Sequence, residues 1–364
     1  MKKVILLFVF VSITIAGFAQ ESGTAGALSW HLSLDRVLTI SGNGGMRDFQ
    51  REQFYGDAWH THRKIIEKVV IEEGVTSIGK YAFYLCTKLT SVELPGTLTR
   101  IEKGAFENCG ITSLSLPNSI NYIGESAFSA CRQLTSVNIP DQVEKIEYNT
   151  FASCSSLSSI LIPGSVKIMG TYAFSDCVNL TSVEIEEGLT TIGFEAFAYC
   201  SRLTLLNIPM SVTRIENYAF AYSGLTSITI PKSVNDIGLA IFRNCEQLQT
   251  IHVENDNPHF SSVDGVLFNK DQTKIAYYPI RHSGSSYIVP DQVKVLGNEC
   301  FSDSKLSSII LHDQVEVIED GVFSSCANLL KLRIPKSVTK IEKGSFGFSS
   351  LKELIVEWNT PYCS

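Results

Sequence analysis

The sequence predicts a β-rich repeat solenoid, and three observations predict it. A phenylalanine, usually preceded by alanine, returns every 22 or 23 residues at Phe83, Phe106, Phe128, Phe151, Phe174, Phe197, Phe220, Phe242, Phe301, Phe323 and Phe346, with one long gap between Phe242 and Phe301. Around each of them the same apolar positions recur in the same order. Upstream of each, apolar residues alternate with polar ones, the period-two mark of a strand with one buried face. A fixed period of this length means stacked supersecondary units, each too small to bury a core alone.

Residues 1–19 stand outside the repeat. Lys2 and Lys3 precede an apolar run from Val4 to Ala16, and Gly17 and Ala19 supply the small residues of a cleavage site. This reads as a secretory signal peptide cut between Ala19 and Gln20. The run is short for a spanning helix, so no membrane span is expected. No cysteine precedes Cys86, which leaves the cut site without a lipoprotein anchor. The expected destination is outside the cytoplasm: secreted, at the cell surface or periplasmic.

Residues 20–64 are expected to cap the first coil. Leu28, Trp30, Leu32 and Leu34 alternate, a turn follows near Asp35-Arg36, and Leu38 and Ile40 return, which gives a β-hairpin over 27–42. Trp59 is expected to pack on the same end. Repeats then fill residues 65–254. In one of them Val92 and Leu94 face inward, Pro95 ends the strand, Leu98 and Ile101 lie on a second extended stretch, and Ala105-Phe106 fill the far side. The corner before the phenylalanine is often glycine, at Gly79, Gly124, Gly170, Gly193, Gly238 and Gly297.

Residues 255–290 break the period as a degenerate repeat with an insertion. Asn255 to Pro258 is loop chemistry, Val263 to Phe268 and Lys274 to Tyr278 read as a hairpin, and Asp264-Gly265 is a turn. Tyr287 to Pro290 rejoins the stack, and residues 291–364 carry the C-terminal repeats. There Leu351, Leu354 and Val356 either stay exposed or lie under Trp358. An exposed edge would permit self-association.

The chain has ten cysteines. Eight of them sit three residues after a repeat phenylalanine, in a slot that elsewhere holds Ser223, Ser304 or Ser349. Equivalent residues on adjacent coils have parallel side chains about 4.8 Å apart, whereas a disulfide wants converging Cβ atoms at about 3.8 Å. A ladder of free thiols follows. One ligand per coil makes a row and not a tetrahedron, so no metal is expected there.

The formal charge of −7 becomes −9 once Lys2 and Lys3 leave with the leader. That balance disfavours nucleic acid and anionic lipid as partners. The small basic clusters, His60, His62, Arg63 and Lys64 near the start and Lys331, Arg333 and Lys336 near the end, read as solvated faces. His60 and His62 with Asp57 are a weak metal motif and read as ordinary surface. Asp256, Asp264 and Asp271 do not have calcium-loop spacing. No phosphate loop, nucleophile elbow or zinc-protease motif occurs, and no cofactor is implied.

The outward strand column reads Glu93, Ser115, Asn138, Leu161, Glu184, Asn207, Thr229 and His252, continued by Ile310, Arg333 and Ile355. It is mixed, without the clustered carboxylates of a polysaccharide-active solenoid, and is the expected binding face. Tyr81, Tyr84, Tyr148, Tyr172, Tyr199, Tyr218 and Tyr222 add aromatic edges near the corners, suited to protein or glycan contact or to filling gaps between coils.

From Lys68 to Val356 the recurring Leu-Thr-Ser-Val-x-Ile-Pro…Ile-Gly-x-x-Ala-Phe-x-x-Cys pattern resembles the BspA-type leucine-rich repeat family. The resemblance implies a curved right-handed leucine-rich-repeat stack with parallel β-strands on one face. It also implies a non-enzymatic role in adhesion and host or matrix interaction. The alternatives are a polysaccharide-active solenoid enzyme and a self-associating structural surface component.

Overall fold

The computed structural model describes residues 20–51 and 58–357; the leader, Asp57, Trp358 and Cys363 lie outside them. The chain is a parallel β-solenoid of about 13 turns with almost no helix. Its axis is a column of aromatic rings. Ten of the eleven repeat phenylalanines are fully buried, and Phe346 is partly buried. From Phe83 to Phe242 each ring stacks on the next at 5.1–6.2 Å with planes within 16°. One ring per coil at this spacing excludes water along the axis, so each coil completes the core of its neighbour.

Two rows of short strands hold the coils together. The strand face pairs in parallel register, as in Ser159–Ile162 on Ser182–Ile185 and Ser227–Ile230 on Thr250–Val253. A second row of two-residue strands forms a ladder from Lys145–Ile146 to Asp236–Ile237.

The arc around each phenylalanine is built differently, and here the sequence expectation needs correction. The glycines read as tight corners have no left-handed φ. They are close-approach positions: a Cβ on Gly79 would sit 1.9 Å from the Arg47 carbonyl oxygen, and one on Gly193 would sit 2.5 Å from that of Met169. The left-handed residues lie two before and two after the phenylalanine, for example Tyr218 and Tyr222, both at φ 58°. Such a conformation costs a non-glycine residue roughly 1–2 kcal/mol. It lets the amides alternate. Tyr81, Phe83 and Leu85 donate to Lys103, Ala105 and Glu107 of the next coil at 2.8–3.0 Å, while Ala82, Tyr84 and Cys86 close turns within their own coil. No arc amide in that run is left unpaired, and this offsets the strain.

The cysteine ladder is present as free thiols. Among the described residues nine cysteines are buried and free of disulfides. Cys109, Cys131, Cys154, Cys177, Cys200, Cys245 and Cys326 each donate to the carbonyl of a phenylalanine one coil earlier, at 3.0–3.2 Å. Where serine takes the slot its hydroxyl meets the thiol of the next coil, Ser223 on Cys245 at 3.3 Å and Ser304 on Cys326 at 3.5 Å. Burial pushes the Cys131 and Cys177 thiols up to about 12.

At the N-terminus the predicted hairpin is Leu28–Leu32 on Val37–Ser41, with an unpredicted third strand, Glu21–Ala25, antiparallel to the first. Leu34 is not a strand residue; it lies in the turn, 66% exposed. Val37–Ser41 runs parallel to Lys68–Ile71 and joins the hairpin to the stack. Trp59 continues the aromatic column, 5.8 Å from Phe83, and its indole donates to the Ala82 carbonyl at 2.8 Å. His60, expected on the surface, is instead buried on Phe49 with its ring nitrogen 3.0 Å from the same carbonyl. Desolvation lowers its pKa, so it sits there neutral.

The insertion is a three-stranded meander. Asp264-Gly265 turns, as expected, between Phe260–Val263 and Val266–Asn269, so a strand precedes the expected hairpin. Lys274–Tyr277 pairs back antiparallel on Val266–Asn269 and also lies parallel to Val295–Leu296, which returns it to the stack. Tyr278 takes the missing phenylalanine slot 23 residues before Phe301: its amide donates to Cys300 and its ring lies 5.3 Å from Phe301. Asn257 anchors the base. Fully buried, it donates to Pro231 and Val234 and accepts from the His259 and Phe260 amides. The hydrophobic core divides here, Tyr277 facing the first half and Tyr278 the second.

Candidate functional site

The eight residues of the predicted strand-face column are all exposed. Where the strands pair, parallel register fixes the spacing, because side chains alternate in and out. Leu161 lies beside Glu184, and Thr229 beside His252. Ser115 and Asn138 share a shallow depression of about 340 Å³ with Ser113, Leu114, Ser136 and Val137. Small serines leave that hollow. Asn138 also clasps its neighbouring coil: its amide donates to the Leu116 carbonyl at 2.9 Å and accepts from the Leu116 amide at 2.7 Å. Its structural role was not legible in the sequence, where it stood as a surface residue. Asn207 follows Leu206 in a stretch with no regular strand. Further along, Ile310 is exposed and Arg333 is held by Glu357 at 2.7 Å.

The arc face carries the tyrosines, and the structure sorts them. Tyr148, Tyr172, Phe194 and Tyr218 form an edge-to-face ladder at 5.5–5.7 Å, one ring per coil. Beside it Tyr199 and Tyr222 stack at 4.5 Å. Phe194, Glu195 and Arg243 belong to this surface and were missed. Their signal is the alternating spacing of Tyr148, Tyr172, Phe194 and Tyr218, two or three residues before the phenylalanine. A second hollow, about 220 Å³, opens at the insertion between Ile237, Leu239, Phe260 and Ala276.

Chemically reactive arrangements are sparse. Glu107, Glu195 and Glu299 are held above the usual carboxylate range by burial, but Glu107 meets Arg51 at 2.6 Å and Glu299 meets Arg243 at 3.4 Å. His60 and His62 diverge, the latter to Glu21 at 2.6 Å. Among the described residues no group of three or more metal-capable side chains converges, and no helix is long and apolar enough to cross a membrane.

Comparison with known proteins places this geometry. No curated protein matches the chain. Among solved structures, a leucine-rich repeat protein from Bacteroides ovatus is 20% identical, with 94% of this chain and 88% of that one covered at a TM-score of 0.53. A leucine-rich cell surface protein from Faecalibacterium prausnitzii is 22% identical over 94% and 96% of the two chains, at 0.52. The pneumococcal vaccine antigen PcpA is also 22% identical, over 92% and 81%, at 0.52. These three share the fold. The sequence profile of the BspA type leucine rich repeat region matches residues 57–181, 167–280 and 262–362. The period, the arc chemistry and that match agree, and the chain belongs to the BspA-type leucine-rich repeat family.

Proposed function

We propose that this chain is an exported, non-enzymatic scaffold that binds an extracellular protein or glycan, host matrix included, in adhesion. The observation that carries the reading is the strand face: eight exposed side chains, one per coil, with Leu161 beside Glu184 and Thr229 beside His252 in parallel register. Such a row offers many weak contacts at fixed spacing, which is how extended binding surfaces on solenoids work. The leader-like residues 1–19 support export. Matrix proteins, mucins and glycans are the partners to test, by interferometry on purified residues 20–364. Changing Glu184 and Asn207 together to alanine is expected to weaken a saturable interaction by about tenfold, or about 1.4 kcal/mol, with the denaturation midpoint unchanged. Asn138 is left alone because it clasps two coils. Affinity untouched by the double change would remove the strand face from the proposal.

A second reading, self-association, is favoured by one observation. Strand Glu353–Val356 pairs only with Lys331–Ile334 among the described residues, and Leu354, Ile355 and Val356 are 44%, 37% and 39% exposed. An open apolar edge of this kind is a pairing site. Sedimentation is expected to show concentration-dependent dimers that Val356→Lys abolishes. A monomer at every concentration ends this reading.

A further inference from the structure

The arc face of the coils around Phe197 and Phe220 holds a groove that the strand-face reading leaves unused. It has a volume of about 180 Å³ and is lined by Glu195, Tyr199, Tyr218, Ala221, Tyr222 and Arg243. Tyr199 and Tyr222 are stacked with planes 9° apart, yet they stay 44% and 37% exposed. The Arg243 guanidinium lies 6.0 Å from the centre of the Tyr218 ring. Buried Ala221 contributes only a methyl group. With its amide turned to satisfy both neighbours, Asn244 accepts from the Tyr222 hydroxyl at 2.9 Å and donates to Asp303 at 3.1 Å. That pair fixes the Tyr222 ring.

The backbone under these rings is left-handed, as it is at these positions in every coil that carries a repeat phenylalanine. Tyr199, Tyr218 and Tyr222 have φ of 61°, 58° and 58°. In the other coils the position of Tyr199 and Tyr222 holds Asn, Asp or Ser six times, and Leu85, Ala130 and Phe348 in the remaining three. Two bulky side chains on adjacent coils at this position occur only here among the described coils, and they need a reason. Core packing does not supply one, since Tyr199 and Tyr222 project into solvent.

What such a groove recognises follows from what it offers. The backbone cannot take up an added strand, because the Tyr199, Ala221 and Tyr222 amides already donate to Ala221, Tyr218 and Arg243 at 2.7–2.9 Å. Recognition is left to side chains: aromatic surface, one carboxylate, one guanidinium and phenolic hydroxyls. A sugar ring has the complementary surface, apolar C–H patches bordered by hydroxyls that both donate and accept. The volume admits about one ring. Glu195, Glu299 and Asp303 outnumber Arg243, which is itself paired with Glu299, so an anionic sugar would be repelled.

We infer that this groove binds a neutral pyranose unit of a glycan, with sugar C–H groups against the tyrosines and hydroxyls shared between Glu195 and Arg243. The inference rests on the proposed scaffold role and adds a ligand class and a second face. The test uses purified residues 20–364 with neutral gluco-, manno-, galacto- and N-acetylglucosamine oligosaccharides, and sialylated and sulfated ones for contrast. Saturation-transfer NMR and interferometry read the binding. Neutral oligosaccharide binding is expected, reduced about tenfold or more by Tyr199→Asn with Tyr222→Asn. Asparagine suits the left-handed backbone, so the melting temperature of that variant should equal or exceed the parent's. Absence of neutral oligosaccharide binding overturns the inference, and so does binding that the tyrosine changes leave intact. Loss of glycan binding only on changing Glu184 and Asn207 overturns it while sustaining the strand-face function.

Discussion

Raising the pH from about 8 to about 10 is expected to unfold the protein. Burial raises the thiol pKa of Cys109, Cys131, Cys154, Cys177, Cys200, Cys245, Cys300 and Cys326 from 9.0. In the unfolded chain these thiols ionise first, so the folded state is at full stability below pH 9.0 and loses it as the pH climbs towards about 12, where Cys131 and Cys177 titrate. One unit above 9.0 a thiol held protonated by the fold favours the unfolded chain by about 1.4 kcal/mol, and the seven besides Cys326 together by on the order of 10 kcal/mol. That equals the whole stability of a typical domain, about 5–15 kcal/mol. Circular dichroism should lose its sheet signal in step with iodoacetamide labelling of these cysteines. Labelling at about pH 8 with the sheet signal intact would mean that the thiols are reachable in the folded chain and the ladder is misplaced.

Phe174→Ala should destabilise the chain by about 3–5 kcal/mol. Phe174 is fully buried between Phe151 at 5.4 Å and Phe197 at 5.6 Å, so its removal leaves a hole that two neighbouring coils share. Close-packed coils relax into such a hole only partly. Glu184→Ala, one strand further on and exposed, should change stability by less than about 0.5 kcal/mol. Denaturant midpoints compare the two, and equal midpoints would contradict the inward register assigned to the phenylalanines.

The column, the thiol ladder and the strand alternation were legible because each repeats at the coil period. What escaped notice lay where the period is carried by a different residue. Trp59 packs on the end expected for it, but its place in the column one coil before Phe83 is hidden because it is a tryptophan in a short 3₁₀ turn. Tyr278 stands 23 residues before Phe301, yet the 36 residues separating it from Phe242 conceal the match. The glycines misled for a physical reason: glycine serves both left-handed turns and close approach, and only the inter-coil distances tell them apart. The left-handed positions themselves were invisible because Tyr199, Tyr218 and Tyr222 fill several of them. Of the candidate surface, exposure of the strand column follows directly from alternation. The arc groove needed three coils in place, since Glu195, Tyr218 and Arg243 come from consecutive repeats.

On the proposed function, this stack binds its partner through outward side chains and leaves the partner chemically unchanged. Residues 20–364, incubated with matrix proteins, mucins and glycans, should give saturable binding, with every ligand recovered at its original mass. Any ligand shortened in step with time and protein concentration would contradict this, and a shortened glycan would favour the polysaccharide-active alternative.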